Sequence, residues 1–215
     1  RVAEAPLMPL HWLRTPNIIL PIAIQSLINF AYMGGFIVVP QMLERGLGHS
    51  ASHVGWLIIA RPLTFSITAP LASFFTMRAG ERKSGVIGAC AVIASMLILS
   101  SLASGSSDLL VVLGLGLSGI GFGIAAPALT ALVANAVDDE TIGVAGAMQQ
   151  LLSQMGAVLG STVMISVHEM TVGSTTVVRS YGIALLFGAG TATVAALLAT
   201  RLTPTDRSAD AMANS

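Results

Sequence analysis

Charged residues are scarce in this chain, and their scarcity excludes a protein surrounded by water. Only 9% of its 215 residues are Asp, Glu, Lys or Arg, whereas soluble globular domains carry roughly 25%. Hydrophobic residues make up 54% of the chain. Ten basic and ten acidic residues cancel, so the total charge does not favour nucleic acid as a partner. The lipid bilayer is therefore the expected surrounding.

Cysteine and buried acids are also nearly absent. The single cysteine, Cys90, excludes an internal disulfide, a cysteine zinc cluster and a redox pair. The long hydrophobic stretches contain no Asp or Glu, and no metal-ligand cluster or Ser/His/Asp set is evident along the sequence. We therefore predict no catalytic residue, no metal site and no cofactor, and we do not expect an enzyme.

Six hydrophobic stretches are long enough to cross a bilayer, which needs about 20 apolar helical residues for a core of about 30 Å. They cover residues 17–43, 54–75, 84–103, 109–137, 143–168 and 181–200. The sequence thus predicts an all-α integral membrane protein whose six-helix bundle spans residues 17–200. Residues 1–16 are predicted to be a cytoplasmic leading segment. The small, polar residues of 201–215 predict a disordered cytoplasmic tail.

The positions of Lys and Arg predict the orientation of the bundle. With a cytoplasmic N-terminus, two basic residues lie outside, Arg45 and Arg179, and seven lie inside. The seven are Arg1, Arg14, Arg78, Arg82, Lys83, Arg201 and Arg207. Because cytoplasmic loops are enriched in Lys and Arg, both termini are expected to be cytoplasmic.

Glycine pairs occur on two of the predicted helices. Gly119 and Gly123 are four residues apart on the fourth, and Gly156 and Gly160 are four apart on the fifth. This spacing allows two helices to approach backbone to backbone. Such faces suit helices that slide or rock against each other, and equally suit static close packing.

Three segments carry a family resemblance. They are PLMPLHWLRTPN (residues 6–17), LGHSASHVG (residues 47–55) and DDETIGVAGAMQQLLSQMGAVLG (residues 138–160). In this order they resemble the second bundle of the fourteen-span drug:proton antiporters of the major facilitator superfamily. The resemblance implies the C-terminal half of a plasma-membrane secondary transporter. It also implies export of amphipathic organic compounds or drugs by proton antiport, together with a missing N-terminal half.

A basic loop occupies the place of the superfamily's cytoplasmic loop motif. It keeps Arg78, Gly80, Arg82 and Lys83. Ser73 and Met77 stand where the motif has a glycine and an acid. The loop therefore either contributes part of a latch between neighbouring helices or only follows the positive-inside rule.

Polar residues at membrane depth are the candidates for substrate binding. Arg61 is the one ionisable residue inside a predicted span, where a charge needs a cavity or a partner. The predicted substrate-binding set is Arg61, Gln25, Asn29, Tyr32, Thr64, Gln150 and Gln154. Alternatively, Arg61 caps carbonyls freed by Pro62, and the amides form static bonds between helices.

Two expectations concern what lies beyond this sequence. His168 and Glu169, at the end of the fifth helix, and Asp108, at the start of the fourth, are each expected to be a solvated helix end at the outer surface. No buried Asp or Glu is then expected in this half, so the proton carrier should lie in the missing half. The chain begins with Arg1 and not Met, so we expect a piece of a longer protein. The alternative is a self-contained six-helix membrane protein that acts as a homodimeric carrier or assembly subunit.

Overall fold

The structure, a computed structural model, describes residue 12 and residues 14–202, except for the side chains of Ser73, Phe75 and Met77. The described residues form helices and no strands. The α-helices are α1 (Pro16–Gln41), α2 (Ala51–Ile58), α3 (Ala60–Ala79), α4 (Glu81–Ser100), α5 (Asp108–Asn135), α6 (Ile142–Val172) and α7 (Val177–Ala199). A π-helical turn, Met42–Gly46, continues α1, and a 3₁₀ turn, Asp139–Thr141, precedes α6.

Six of the described helical segments are long and apolar enough to cross a membrane. They are Pro16–Gly46, Ala51–Ala72, Glu81–Ser100, Asp108–Asn135, Asp139–Val172 and Val177–Ala199. This confirms the predicted fold class, an all-α membrane protein with six spans. The chain is a multi-pass membrane protein in contact with the lipid bilayer.

The second span differs from its prediction at both ends. The helix is interrupted at Ile59, so α2 and α3 are separate elements. Pro62, in the first turn of α3, has no N–H to donate to the carbonyl of Ile58. At the other end, α3 continues to Ala79 and α4 begins at Glu81. The predicted connection at residues 77–83 is therefore a single residue, Gly80, whose positive φ of 85° favours glycine.

The fifth span is longer than its hydrophobic stretch, which corrects the expectation for His168. α6 continues to Val172, so His168 lies inside the helix and is only 6% exposed. Its Nδ1 is hydrogen bonded to Ser180 Oγ at 2.7 Å, and its ring stacks on Tyr181. His168 thus packs between α6 and α7, while its neighbour Glu169 is exposed.

Two helices organise the packing. α1 packs against α6 and α7, and α5 packs against α3 and α4, while α4 also contacts α7. The main core includes Ile28, Met96, Leu115 and Leu185. Leu202 is buried against this core, so the packed part includes the first residues of the predicted tail. Residues 1–11, 13 and 203–215 of the two predicted terminal segments lie outside the described residues.

Glycines mark the closest helix contacts. A Cβ atom on Gly119 would overlap Thr64 Oγ1 and the Arg61 carbonyl of α3. A Cβ on Gly156 or Gly160 would overlap the backbone of Ser26 or Phe30 of α1. At Gly123 a Cβ would lie 3.1 Å from the Thr68 Cβ. α5 therefore approaches α3, and α6 approaches α1, at distances that leave no room for a side chain.

Candidate functional site

A cavity of about 660 Å³ opens between α1, α3, α5 and α6. It lies towards the end of the bundle where α5 ends and α6 begins. The residues that line it are Gln25, Asn29, Met33, Phe65, Phe122, Ala126, Pro127, Thr130, Ala131, Ala134, Gln150, Ser153 and Gln154. Amides and hydroxyls thus share the wall with aromatic and small apolar side chains, and none of the described residues that line the cavity is charged.

Buried amides join α1 to α6 along one wall. Gln149 donates from Nε2 to Gln25 Oε1 and lies 3.3 Å from Thr130 Oγ1 of α5. Asn29 Nδ2 donates to the carbonyl and the hydroxyl of Ser153, at 2.9 Å and 3.0 Å. Asn29 Oδ1 has no hydrogen-bond partner among the described residues. One buried acceptor beside the cavity therefore lacks a protein partner in the described part of the chain.

Two further amides lie on the exposed side of α6. Gln150 and Gln154 border the cavity and are exposed. The neighbouring apolar side chains are exposed as well, with Leu151 and Met155 both 54% exposed. An amide that faces hydrocarbon loses its hydrogen bonds to water at a cost of several kcal/mol. This part of the face therefore requires water or a polar partner.

An aromatic stack separates Arg61 from the cavity. Phe122 lines the cavity, and Tyr32 stacks on it with ring centroids 4.5 Å apart. The Arg61 Cζ lies 4.1 Å from the Tyr32 ring centroid, and its Nε donates to Ser118 Oγ at 2.8 Å. Arg61 is only 1% exposed. Its Nη1 and Nη2 atoms have no hydrogen-bond partner in the described part of the chain.

The predicted substrate-binding residues therefore occupy two layers. Gln25, Asn29, Gln150 and Gln154 line the cavity. Arg61, Tyr32 and Thr64 lie behind its wall, where Thr64 Oγ1 is 3.0 Å from the Gly116 carbonyl of α5. Their role in substrate binding stays a prediction. The predicted loop residues lie at the turn between α3 and α4, where Arg78, Arg82 and Lys83 are exposed.

The residues that the sequence analysis missed are Gln149 and Ser153. Both are 3% exposed and contact α1. A helical face repeats every three or four residues, and Gln149 and Ser153 are followed on the same face by Gly156 and Gly160. Because the glycine pair marks the face of α6 that meets α1, its spacing indicates that Gln149, and not Gln150, faces α1.

Two spans are much less buried within this bundle than the others. In the most apolar stretch of 18 residues of each span, 17% of the residues are buried in Ala51–Ala72 and 33% in Asp139–Val172. The corresponding values for the other four spans lie between 44% and 61%. Most residues in these stretches of the second and fifth spans are therefore not buried within this bundle. Both spans contribute residues to the cavity wall.

Comparison with known proteins decides the family. The family model described as the Major Facilitator Superfamily matches residues 22–214. The chain belongs to the major facilitator superfamily. The superfamily that the three sequence segments indicated is thereby confirmed, and it is a superfamily of transporters and not of enzymes.

Similar proteins of this superfamily have names that refer to drug resistance and export. The chain is 28% identical to the multidrug resistance protein Stp of Mycobacterium tuberculosis over 78% of its own length. It is 29% identical to the tetracenomycin C resistance and export protein of Streptomyces glaucescens over 75% of its length. The multidrug transporter protein MdtP of Bacillus subtilis is 21% identical over 80% of the chain.

The matches cover only part of these major facilitator proteins. They cover 31% of Stp, 30% of the tetracenomycin protein and 32% of MdtP. The chain therefore spans about a third of the length of the curated relatives it matches.

Proposed function

We propose that this chain is the C-terminal half of a major facilitator secondary transporter that exports amphipathic organic compounds or drugs. The observation that carries the proposal is the cavity with amide groups at the exposed face of α1, α5 and α6. In such transporters the substrate is held near the bilayer midplane between two bundles. This cavity would be one wall of that site.

The exposed faces support a second bundle as the partner. Gln150 and Gln154 stand among exposed apolar residues of α6, and lipid offers an amide no hydrogen bond. A second bundle that covers the second and fifth spans would remove them from lipid and leave a water-filled space between the halves. Because the chain matches only about a third of the relatives' length, those relatives have room for further spans that could form such a partner.

The lining supports an amphipathic substrate. Phe65, Phe122 and Met33 offer apolar contacts, and methionine adapts to ligands of irregular shape. Gln150 and Gln154 offer exposed amide groups at the same cavity. A compound with an apolar body and a few polar groups matches this combination. The names of the relatives, which refer to multidrug resistance and to export, agree with this substrate class.

We further propose that transport is driven by proton antiport across the plasma membrane. The residue that carries the proton should then lie outside this chain. Within the described residues, each acid lies in a connection or close to the end of a span. These acids are Glu44, Glu81, Asp108, Asp138, Asp139, Glu140 and Glu169. None of them lines the cavity. A carboxylate that binds and releases the coupling proton is therefore expected in the missing half.

Replacing Gln154 with leucine in the complete transporter should lower drug efflux about five- to tenfold, because a net hydrogen bond contributes about 1 kcal/mol. Thermal stability should stay at the parent level, since Gln154 is exposed on α6. The measurement is efflux of a fluorescent amphipathic dye from cells that express the transporter.

Gln41→Leu is the matched control for that experiment. Gln41 lies at the far end of α1, outside the cavity, and its amide donates to the Ile37 carbonyl. Its efflux should equal that of the parent. Unchanged efflux in Gln154→Leu would contradict the proposed cavity. A homodimer of this chain that transports without any further spans would contradict the half-transporter role.

The orientation is tested by labelling. In a Cys90→Ala background, Lys83→Cys should react with an impermeant thiol reagent only from the cytoplasmic side, and Ser104→Cys only from outside. Lys83 and Ser104 are both exposed and lie at opposite ends of α4. The physical reason is the enrichment of Lys and Arg in cytoplasmic loops. Labelling of Lys83→Cys in intact cells would refute cytoplasmic termini.

A further inference from the structure

Three metal-ligating side chains meet at the end of the bundle opposite the cavity. They are His49, just before α2, His53 in its first turn, and Asp108 at the start of α5. His53 Nε2 lies 2.9 Å from Asp108 Oδ2. One ligand atom from each of the three residues lies within 4.8 Å of the other two. The cluster therefore combines two imidazoles and one carboxylate from parts of the sequence that are 55 residues apart.

Local structure holds the two histidines side by side. The backbone N–H of His49 donates to the Leu43 carbonyl at 3.0 Å, which fixes the turn before α2. Ser50 caps α2 by accepting from the backbone N–H of His53. The two imidazole rings stack with centroids 5.0 Å apart and an angle of 12° between their planes. The two ring planes are therefore nearly parallel, and the His53 ring reaches Asp108 at the start of α5.

The ligand types favour a transition metal over Mg²⁺ or Ca²⁺. Imidazole suits Zn²⁺, Cu²⁺ and Ni²⁺, whereas Mg²⁺ and Ca²⁺ prefer oxygen ligands. Bonds of about 2.0–2.2 Å in tetrahedral geometry place ligand atoms about 3.3 Å apart. His53 and Asp108 have side chains that are 44% and 48% exposed, so small rotations can reach that spacing. Water would occupy the fourth position.

We propose that His49, His53 and Asp108 form a binding site for a divalent transition metal of the Zn²⁺ class. An ion pair between His53 and Asp108 would need only one of the two histidines. The parallel placement of His49 gives the carboxylate a second imidazole partner. A metal bound here would connect the start of α2 to the start of α5. This inference does not depend on the proposed function.

The test uses the chain purified in detergent with a tag that contains no histidine, and with metal removed by a chelator. Titration with ZnCl₂ should show one Zn²⁺ per chain. His49→Ala, His53→Ala and Asp108→Asn should each weaken binding at least about tenfold, since even residues behind the ligands change metal affinity by about 10–100-fold. Cobalt(II) should show the visible absorption of a nitrogen- and oxygen-ligated site in the parent only.

Two matched controls accompany the variants. Asp138→Asn removes an exposed acid at the other end of the bundle, and His11→Ala removes a histidine from elsewhere in the sequence. Both should bind Zn²⁺ as the parent does. Circular dichroism should show equal helix content in all variants. Absence of saturable Zn²⁺ binding to the parent, or parental affinity in the His49→Ala variant, would overturn the three-ligand site.

Discussion

Substituting Gly156 with leucine is expected to destabilise the bundle by about 3 kcal/mol, the upper part of the range for overpacking a well-packed core. The reason is that even a Cβ atom at this position would overlap the backbone of Ser26 in α1. The helix backbone cannot turn aside as a flexible side chain can, so α6 must move away from α1. For a chain of this length the melting temperature should fall by about 10 °C, measured by circular dichroism in detergent.

Gly146→Leu provides the control on the same helix. Gly146 is exposed, and a Cβ there would meet no atom within 4 Å. Its melting temperature should equal or exceed that of the parent, because leucine favours the helix over glycine by about 1 kcal/mol. Gly156→Ala should already be less stable than the parent. If Gly156→Leu has the same melting temperature as the parent, the close approach of α1 and α6 is wrong.

Replacing Arg61 with leucine is expected to lower transport by more than about tenfold while the stability changes by less than about 1 kcal/mol. Burial of the charge costs about 2.5 kcal/mol. Stacking on Tyr32 stabilises the charge by up to about 2 kcal/mol. The hydrogen bond to Ser118 contributes about 1.5 kcal/mol. The buried Nη1 and Nη2 atoms also have no hydrogen-bond partner among the described residues, so the favourable terms do not clearly exceed the cost of burial and the fold should survive the substitution. Transport should fall because Arg61 holds Tyr32, which stacks on Phe122 of the cavity wall.

Two companion variants separate positioning of the aromatic stack from support of the fold. Arg61→Lys keeps the charge but loses the planar stacking group, so its transport should be intermediate. Ser118→Ala removes only the partner of Nε and should transport like the parent. Dye efflux and melting temperature are measured for all three. An unstable Arg61→Leu protein beside a fully active Arg61→Lys protein would refute a role of Arg61 in the substrate site.

The number of spans was predictable because the length of an apolar run is a local property of the sequence. The hydrogen-bonding needs of a backbone in lipid leave the helix as the only solution for such a run. Interruptions were harder to predict, because α2 and α3 belong to one continuous apolar stretch. Pro62 indicates that one backbone N–H donor is missing, but the sequence does not show that the helix is interrupted at Ile59.

The candidate site was predictable only in part, for a geometric reason. The amides of Gln25 and Asn29 lie on one helical face, and their periodicity placed them at the cavity. Gln149 and Gln150 are neighbours in sequence but point about 100° apart around a helix, so only knowledge of which face meets α1 assigns them. The approach of Asp108 to His53 and His49 depends on tertiary packing, which helical periodicity does not contain.

The one-residue connection at Gly80 has a mechanical consequence for the second span. Two successive Cα–Cα steps separate Ala79 from Glu81 by at most about 7 Å, so this end of α3 cannot leave the start of α4. At the other end, Ile59 keeps helical backbone angles, with φ −59° and ψ −29°, so α2 stays in line with α3. Span two is therefore anchored at Gly80, and a tilt about this connection would displace Phe65 in the cavity wall.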